Sequence, residues 1–121
     1  MRKDKSAAYQ KSFKFAVRVV NLYKYLCDEK KEYVLSKQVL RSGTSIGANI
    51  REGLEGQSDR DFISKFSISL KEAVETEYWI ELLCATDYLN VKMKESLLNE
   101  LEEIIKILTA SIKTVKQRMS N

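Results

Sequence analysis

No proline interrupts the 121 residues of this chain, and only four are glycine. Proline breaks a helix interior and glycine weakens one, so their scarcity leaves long uninterrupted helices as the default and disfavours loop-rich or β-rich folds. The apolar residues agree. Leu97, Leu101, Ile104, Leu108, Ile112, Val115 and Met119 recur at spacings of three and four, which is one face of a 3.6-residue helix.

The same period predicts four segments: about Ala8 to Glu29, Lys37 to Glu55, Asp59 to Tyr88, and Met93 to Met119, with Ser58 or Asp59 capping the third. Helices of similar length joined by short loops give an all-α fold, an antiparallel up-down-up-down four-helix bundle, in one domain over residues 1–121. The chain holds no histidine and two cysteines, Cys27 and Cys84, without metal-ligand or disulfide-framework spacing. We therefore expect reduced core thiols, no metal, no cofactor and no catalytic site. The N-terminus lacks an apolar signal core, and no apolar run approaches the ~20 residues of a membrane span, so a cytoplasmic location without membrane contact is expected.

Within the second segment, "LRSGTSIGANIREG" could be a phosphate loop or a tightly packed helix. Neither GxxxxGK[ST] nor GxGxxG is present. As a helix it places Val39, Gly43, Ile46, Ile50 and Leu54 on one face, and Gly43 and Gly47, four apart, would let a neighbouring helix come close. The other side carries Ser42, Ser45, Asn49 and Glu52 beside Arg41. Small hydrogen-bonding groups there, with Glu72, Glu75 and Trp79 on the third helix, predict a polar network that links helices or subunits; a binding surface is the alternative. Glu77 falls among inward positions, as a carboxylate at the core margin.

Two helices carry more apolar surface than one core needs. On the first, Phe13, Ala16, Val20, Tyr23 and Cys27 form one stripe, and Phe15, Val19, Leu22 and Leu26 a second. On the third, Phe62, Phe66, Leu70, Ala73, Ile80 and Cys84 lie on one side, with Ile68, Trp79 and Leu82 nearly opposite. Large apolar patches are rare on monomers, so self-association is expected, with Leu22 and Trp79 at the contact between copies.

The pieces "RSGTSIGAN" and "ETEYW", within a block from Leu35 to Leu89, resemble the four-helix-bundle family encoded in intervening sequences of bacterial 23S ribosomal RNA genes. The resemblance implies ring-like oligomers, pentamers in relatives. It also implies likeness to accessory proteins of diversity-generating retroelements, which form basic pentameric barrels that bind nucleic acid and a reverse transcriptase. Asp87 stands where relatives usually have glycine.

Charge bears on the choice of partner. Residues 1–31 hold nine Lys and Arg against three Asp and Glu, and after Glu103 come Lys106, Lys113, Lys116 and Arg118 without an acid. An up-down bundle brings Lys3, Lys5, Lys11 and Lys14 to the end that carries Lys113, Lys116 and Arg118, while Lys11, Lys14 and Arg18 share a stripe. A homo-oligomeric, non-enzymatic scaffold that binds RNA or DNA by backbone charge, alone or with a nucleic-acid enzyme, is the leading expectation. An oligomeric protein-interaction module without a nucleic-acid role is the rival.

Overall fold

The computed structural model describes residues 6–121 as four α-helices: α1 (Ala7–Asp28), α2 (Leu35–Leu54), α3 (Asp59–Ala85) and α4 (Val91–Ser120). Three of them start on a side-chain cap. Ser6 accepts the Tyr9 N–H at 3.3 Å, Ser58 the Asp61 N–H at 3.1 Å, and Asn90 the Met93 N–H at 2.8 Å. The Asp61 carboxylate reaches back to the Gln57 N–H at 3.3 Å, so both sides of that turn are satisfied.

Helix α2 starts two residues before the expected Lys37, because its cap comes from outside the helix. Val34 occupies the cap position without a capping side chain. The buried Glu32 carboxylate instead accepts the N–H groups of Val34 at 3.3 Å and Ser36 at 2.7 Å. Burial pushes the Glu32 carboxyl up, yet the backbone donors of Leu35, Ser36 and Val34 outweigh it and hold the group below its ordinary value.

Helix α3 stops at Ala85, short of Tyr88. Asp87 turns left-handed at φ 69°, and the N–H of Tyr88 returns to the Leu83 carbonyl at 2.9 Å while that of Asp87 reaches Cys84 at 3.1 Å. This paired closure satisfies the last carbonyls and needs a residue that tolerates positive φ, the position that glycine most often fills at helix ends. Aspartate is among the few other residues that visit that region readily.

Each helix packs on its chain neighbours, and α1 also meets α4, closing the bundle. The core comprises Phe15, Val19, Leu22 and Leu26 of α1, Val39, Ile46 and Ile50 of α2, Phe66, Ala73, Ile80 and Leu83 of α3, and the α4 stripe from Leu97 to Ile112. Two expectations about it need correction. Leu22 is only 3% exposed and belongs to the core, so it is no contact between copies. On α3 the inward stripe is Phe66, Ser69, Ala73, Thr76, Ile80 and Leu83, with Leu70 and Cys84 at its margin. Its hydroxyls are buried without penalty, because Ser69 donates to the Ile46 carbonyl at 2.8 Å and Thr76 bonds the Ser42 hydroxyl at 2.8 Å.

Candidate functional site

"LRSGTSIGANIREG" lies within α2 and forms a seam against two neighbours. A Cβ on Gly43 would stand 2.7 Å from a Val19 methyl of α1, and one on Gly47 3.2 Å from the Ser12 hydroxyl. A Cβ on Gly53 would stand 2.7 Å from the Phe66 ring of α3. The glycines are therefore spaces into which side chains of α1 and α3 insert.

Of the residues expected in a polar network, four converge. Arg41 on α2 bridges Glu72, at 3.3 Å, and Glu75, both on α3, and the Trp79 indole N–H donates to Glu75 at 2.9 Å. The Tyr78 ring meets Trp79 edge-on at 5.1 Å. Arg41 remains half exposed, so this is a surface brace between α2 and α3 with two carboxylates around one guanidinium.

The other four take different partners. Ser42 is buried against Thr76. Ser45 bonds back to the Arg41 carbonyl at 2.7 Å, and Asn49 to that of Ser45 at 2.9 Å. Both satisfy their own helix because short polar side chains reach the preceding turn more easily than a neighbouring helix. Glu52 pairs with Lys65 at 3.0 Å. Glu77 is half-buried where α3 faces α4, and burial, then the charges of Glu81 and Glu102, push its carboxyl up.

Of the outward apolar residues expected, only Phe13 on α1 and Ile68 on α3 are exposed; Ala16, Val20, Tyr23, Cys27 and Leu82 are half-buried, and so is Trp79, which packs against its own core and is not a free contact for a second copy. Phe13 is 57% exposed and Val17 48%, on the α1 face opposite the core, and Val74 and Tyr78 are similarly open on α3. Beside Phe13, Tyr9 accepts a hydrogen bond from Arg51 at 3.0 Å, and the Arg51 guanidinium also lies 5.4 Å from the Tyr9 ring centre. Charge spacing alone gave no sign of this α1–α2 contact. Both cysteines are free and half-buried.

The basic residues divide sharply. Lys3 and Lys5 lie outside the described residues. Lys11 pairs with Glu103 at 2.9 Å and Arg18 with Glu100 at 2.8 Å, both on α4, and the Lys11 bond holds the Glu103 carboxyl below its ordinary range. Arg118 pairs with Asp59 at 2.8 Å. Lys14, Lys113 and Lys116 are exposed and enter no ion pair among the described residues. The α1 stripe expected to face a polyanion is thus largely answered from within, since the antiparallel α4 lays its acids alongside it.

No helix among the described residues is long and apolar enough to cross a membrane. Comparison with known proteins identifies relatives of the whole bundle. The sequence model described as 23S rRNA-intervening sequence protein matches residues 4–110. A crystal structure at 1.70 Å of a protein with unknown function from the S23 ribosomal protein family of Bacteroides thetaiotaomicron VPI-5482 is 58% identical. It aligns over 88% of this chain and 99% of its own, with a TM-score of 0.87. No curated protein matches.

Proposed function

Since the chain belongs to the 23S rRNA-intervening sequence protein family, we propose that it is a helical scaffold that catalyses no reaction, assembles with copies of itself and associates with RNA or DNA. The observation that carries this reading is the second face of α1, where Phe13 and Val17 stand open to solvent directly opposite the buried Phe15, Val19, Leu22 and Leu26. A bundle of four helices has no internal use for those apolar side chains, and a sister copy would remove them from water. The subunit number is carried by the resemblance alone: a pentamer, as in the retroelement accessory proteins. A ring multiplies weak phosphate contacts through effective concentration, which gives a modestly basic chain of net charge +4 a route to useful affinity.

Light scattering at micromolar concentration, on protein purified at low salt, tests both halves. A mass several times 14.0 kDa and an absorbance ratio raised by bound nucleic acid, then lost as salt rises, are expected. A 14.0 kDa species would overturn the assembly, and clean protein at low salt the nucleic-acid role.

A second reading has its own observation. The Lys11–Glu103 and Arg18–Glu100 pairs remove two cations from the α1 stripe, which favours an oligomeric protein-interaction module. Capture of a protein partner that is insensitive to salt, without nucleic acid, would decide for it.

A further inference from the structure

We propose that the nucleic-acid phosphate backbone docks at the α3–α4 end, around Arg60, Lys113 and Lys116, and not along the α1 stripe. The inference rests on the reading that the protein associates with nucleic acid, and it assigns the surface.

Three observations converge on that end. The first is which cations remain free of internal acids. At the α3–α4 end, Asp59 is paired with Arg118, while the Asp61 carboxylate keeps its charge and turns back to the Gln57 N–H. Arg60, Lys113 and Lys116 enter no ion pair among the described residues and are all exposed. On α1, by contrast, Lys11 and Arg18 are held by α4 carboxylates at 2.9 and 2.8 Å. A phosphate would have to displace those carboxylates at Lys11 and Arg18, which leaves Lys14 as the single unpaired cation of that stripe among the described residues.

The second observation is shape. Two shallow grooves meet at Lys116 and Ser120: one runs over α4 past Thr109 and Lys113, the other between the helices past Arg60 and Ser64. Among the described residues, no aspartate or glutamate lines either groove. Cations flanked by hydroxyl donors, without a competing acid, suit phosphate oxygens and carry no base-specific information.

The third observation concerns the position of Arg60, the second residue of α3. A helix N-terminus carries partial positive charge, so a cation in the first turn works against helix stability. Lys113 and Lys116, near the end of α4, would complement its dipole anyway; Arg60 has no such account. Its placement is explained by what approaches from outside.

The test uses the full chain and fluorescence anisotropy with a short single-stranded RNA and, in parallel, a DNA duplex. The triple variant Arg60→Gln, Lys113→Gln, Lys116→Gln should bind RNA at about 50 mM salt about tenfold more weakly, with a salt slope shallower by about 2. Lys11→Gln, Lys14→Gln, Arg18→Gln together should change binding by less than about twofold. The duplex should show the same ranking, because backbone charge is what is read. Circular dichroism and light scattering confirm that each variant folds and assembles; should the triple fail, Lys113→Gln alone, on the open face of α4, should still weaken binding by about threefold. Loss of binding in the α1 variant with the α3–α4 variant unchanged, or equal loss in both, would overturn the assignment while leaving nucleic-acid binding intact. Wild-type protein that ignores both probes at low salt would overturn the underlying reading as well.

Discussion

Helices α1 and α2 share a seam and solve opposite problems. On α2 the large apolar residues Val39, Ile46 and Ile50 all point inward, and three glycines lie close against the neighbouring helices. Outside, Arg41, Ser45 and Asn49 bond their own helix or α3, and Arg51 reaches Tyr9 of α1. On α1 the inward stripe is just as apolar, yet Phe13 and Val17 stand open on the reverse side. One helix is consumed by the subunit's own packing; the other has surface left over. The most distinctive motif of a chain can therefore serve its interior while its outward chemistry sits on plainer sequence.

Substitutions on the two sides of α1 sharpen that contrast most. Leu22→Glu places an unpaired charge in the core and should cost more than about 4 kcal/mol, enough to abolish the helical circular dichroism signal. Phe13→Glu, nine residues earlier on the open face, should change the subunit's unfolding free energy in urea melts by less than about 0.5 kcal/mol while lowering the mass measured by light scattering. Unfolding by Phe13→Glu would mean that α1 has no spare face.

The glycine seam offers a finer test. Gly43→Ala gains helix propensity of about 1 kcal/mol but drives its methyl into Val19, so a net loss of about 1 to 2 kcal/mol is expected in denaturant melts. At Gly47 the nearest atom, the Ser12 hydroxyl bonded to the Tyr9 carbonyl, stands 3.2 Å from the added carbon and need yield only slightly, so Gly47→Ala should be neutral or more stable by up to about 1 kcal/mol. Equal effects at both positions would remove the distinction.

The loop between α1 and α2 responds to acid. The folded Glu32 carboxyl titrates below its unfolded value, so its contribution is present above the ordinary carboxylate range and is lost as pH falls through the folded value. Glu32→Gln should lower stability by about 1 kcal/mol near neutral pH, the size of a lost helix cap. The gap between the two melting temperatures should close in acid.

Glu77 gives the smallest effect and the opposite sign. Its raised value makes the protonated form the better fit, a contribution present at low pH and lost as pH rises through the folded value. Glu77→Gln should raise stability near neutral pH by about half a kcal/mol or less after solvent screening, seen as a slightly higher melting temperature, and not at all in acid.

Much of this was legible in the residues. Periodicity placed all four helices within a few positions and the α4 stripe from Leu97 to Val115, though Met119, expected to continue it, is exposed; spacing paired Arg41 with Glu72 and Glu75. It misjudged the centre of α3, where Ser69 and Thr76 keep heptad spacing but read as polar; Ser69 is buried against an acceptor 23 residues away, and Thr76, which also reaches the Glu72 carbonyl at 2.7 Å, meets a hydroxyl 34 residues away. Glu32 was missed for a related reason: it caps α2 from outside the helix across a left-handed Lys31 at φ 55°. The α1 basic stripe was correctly seen as a stripe, but its neutralisation by Glu100 and Glu103 arises from an α4 register that no local pattern encodes.

What the amino-acid sequence determined alone was the set of helices and the face each one turns inward, because a 3.6-residue period is a local property that proline and glycine did not interrupt. Only the tertiary structure decided which side chains occupy the spaces left by the glycines, which hydroxyls find buried partners and which cations stay free. Those outcomes depend on how two helices are aligned along their lengths, and that alignment is set by the packing of the whole core at once.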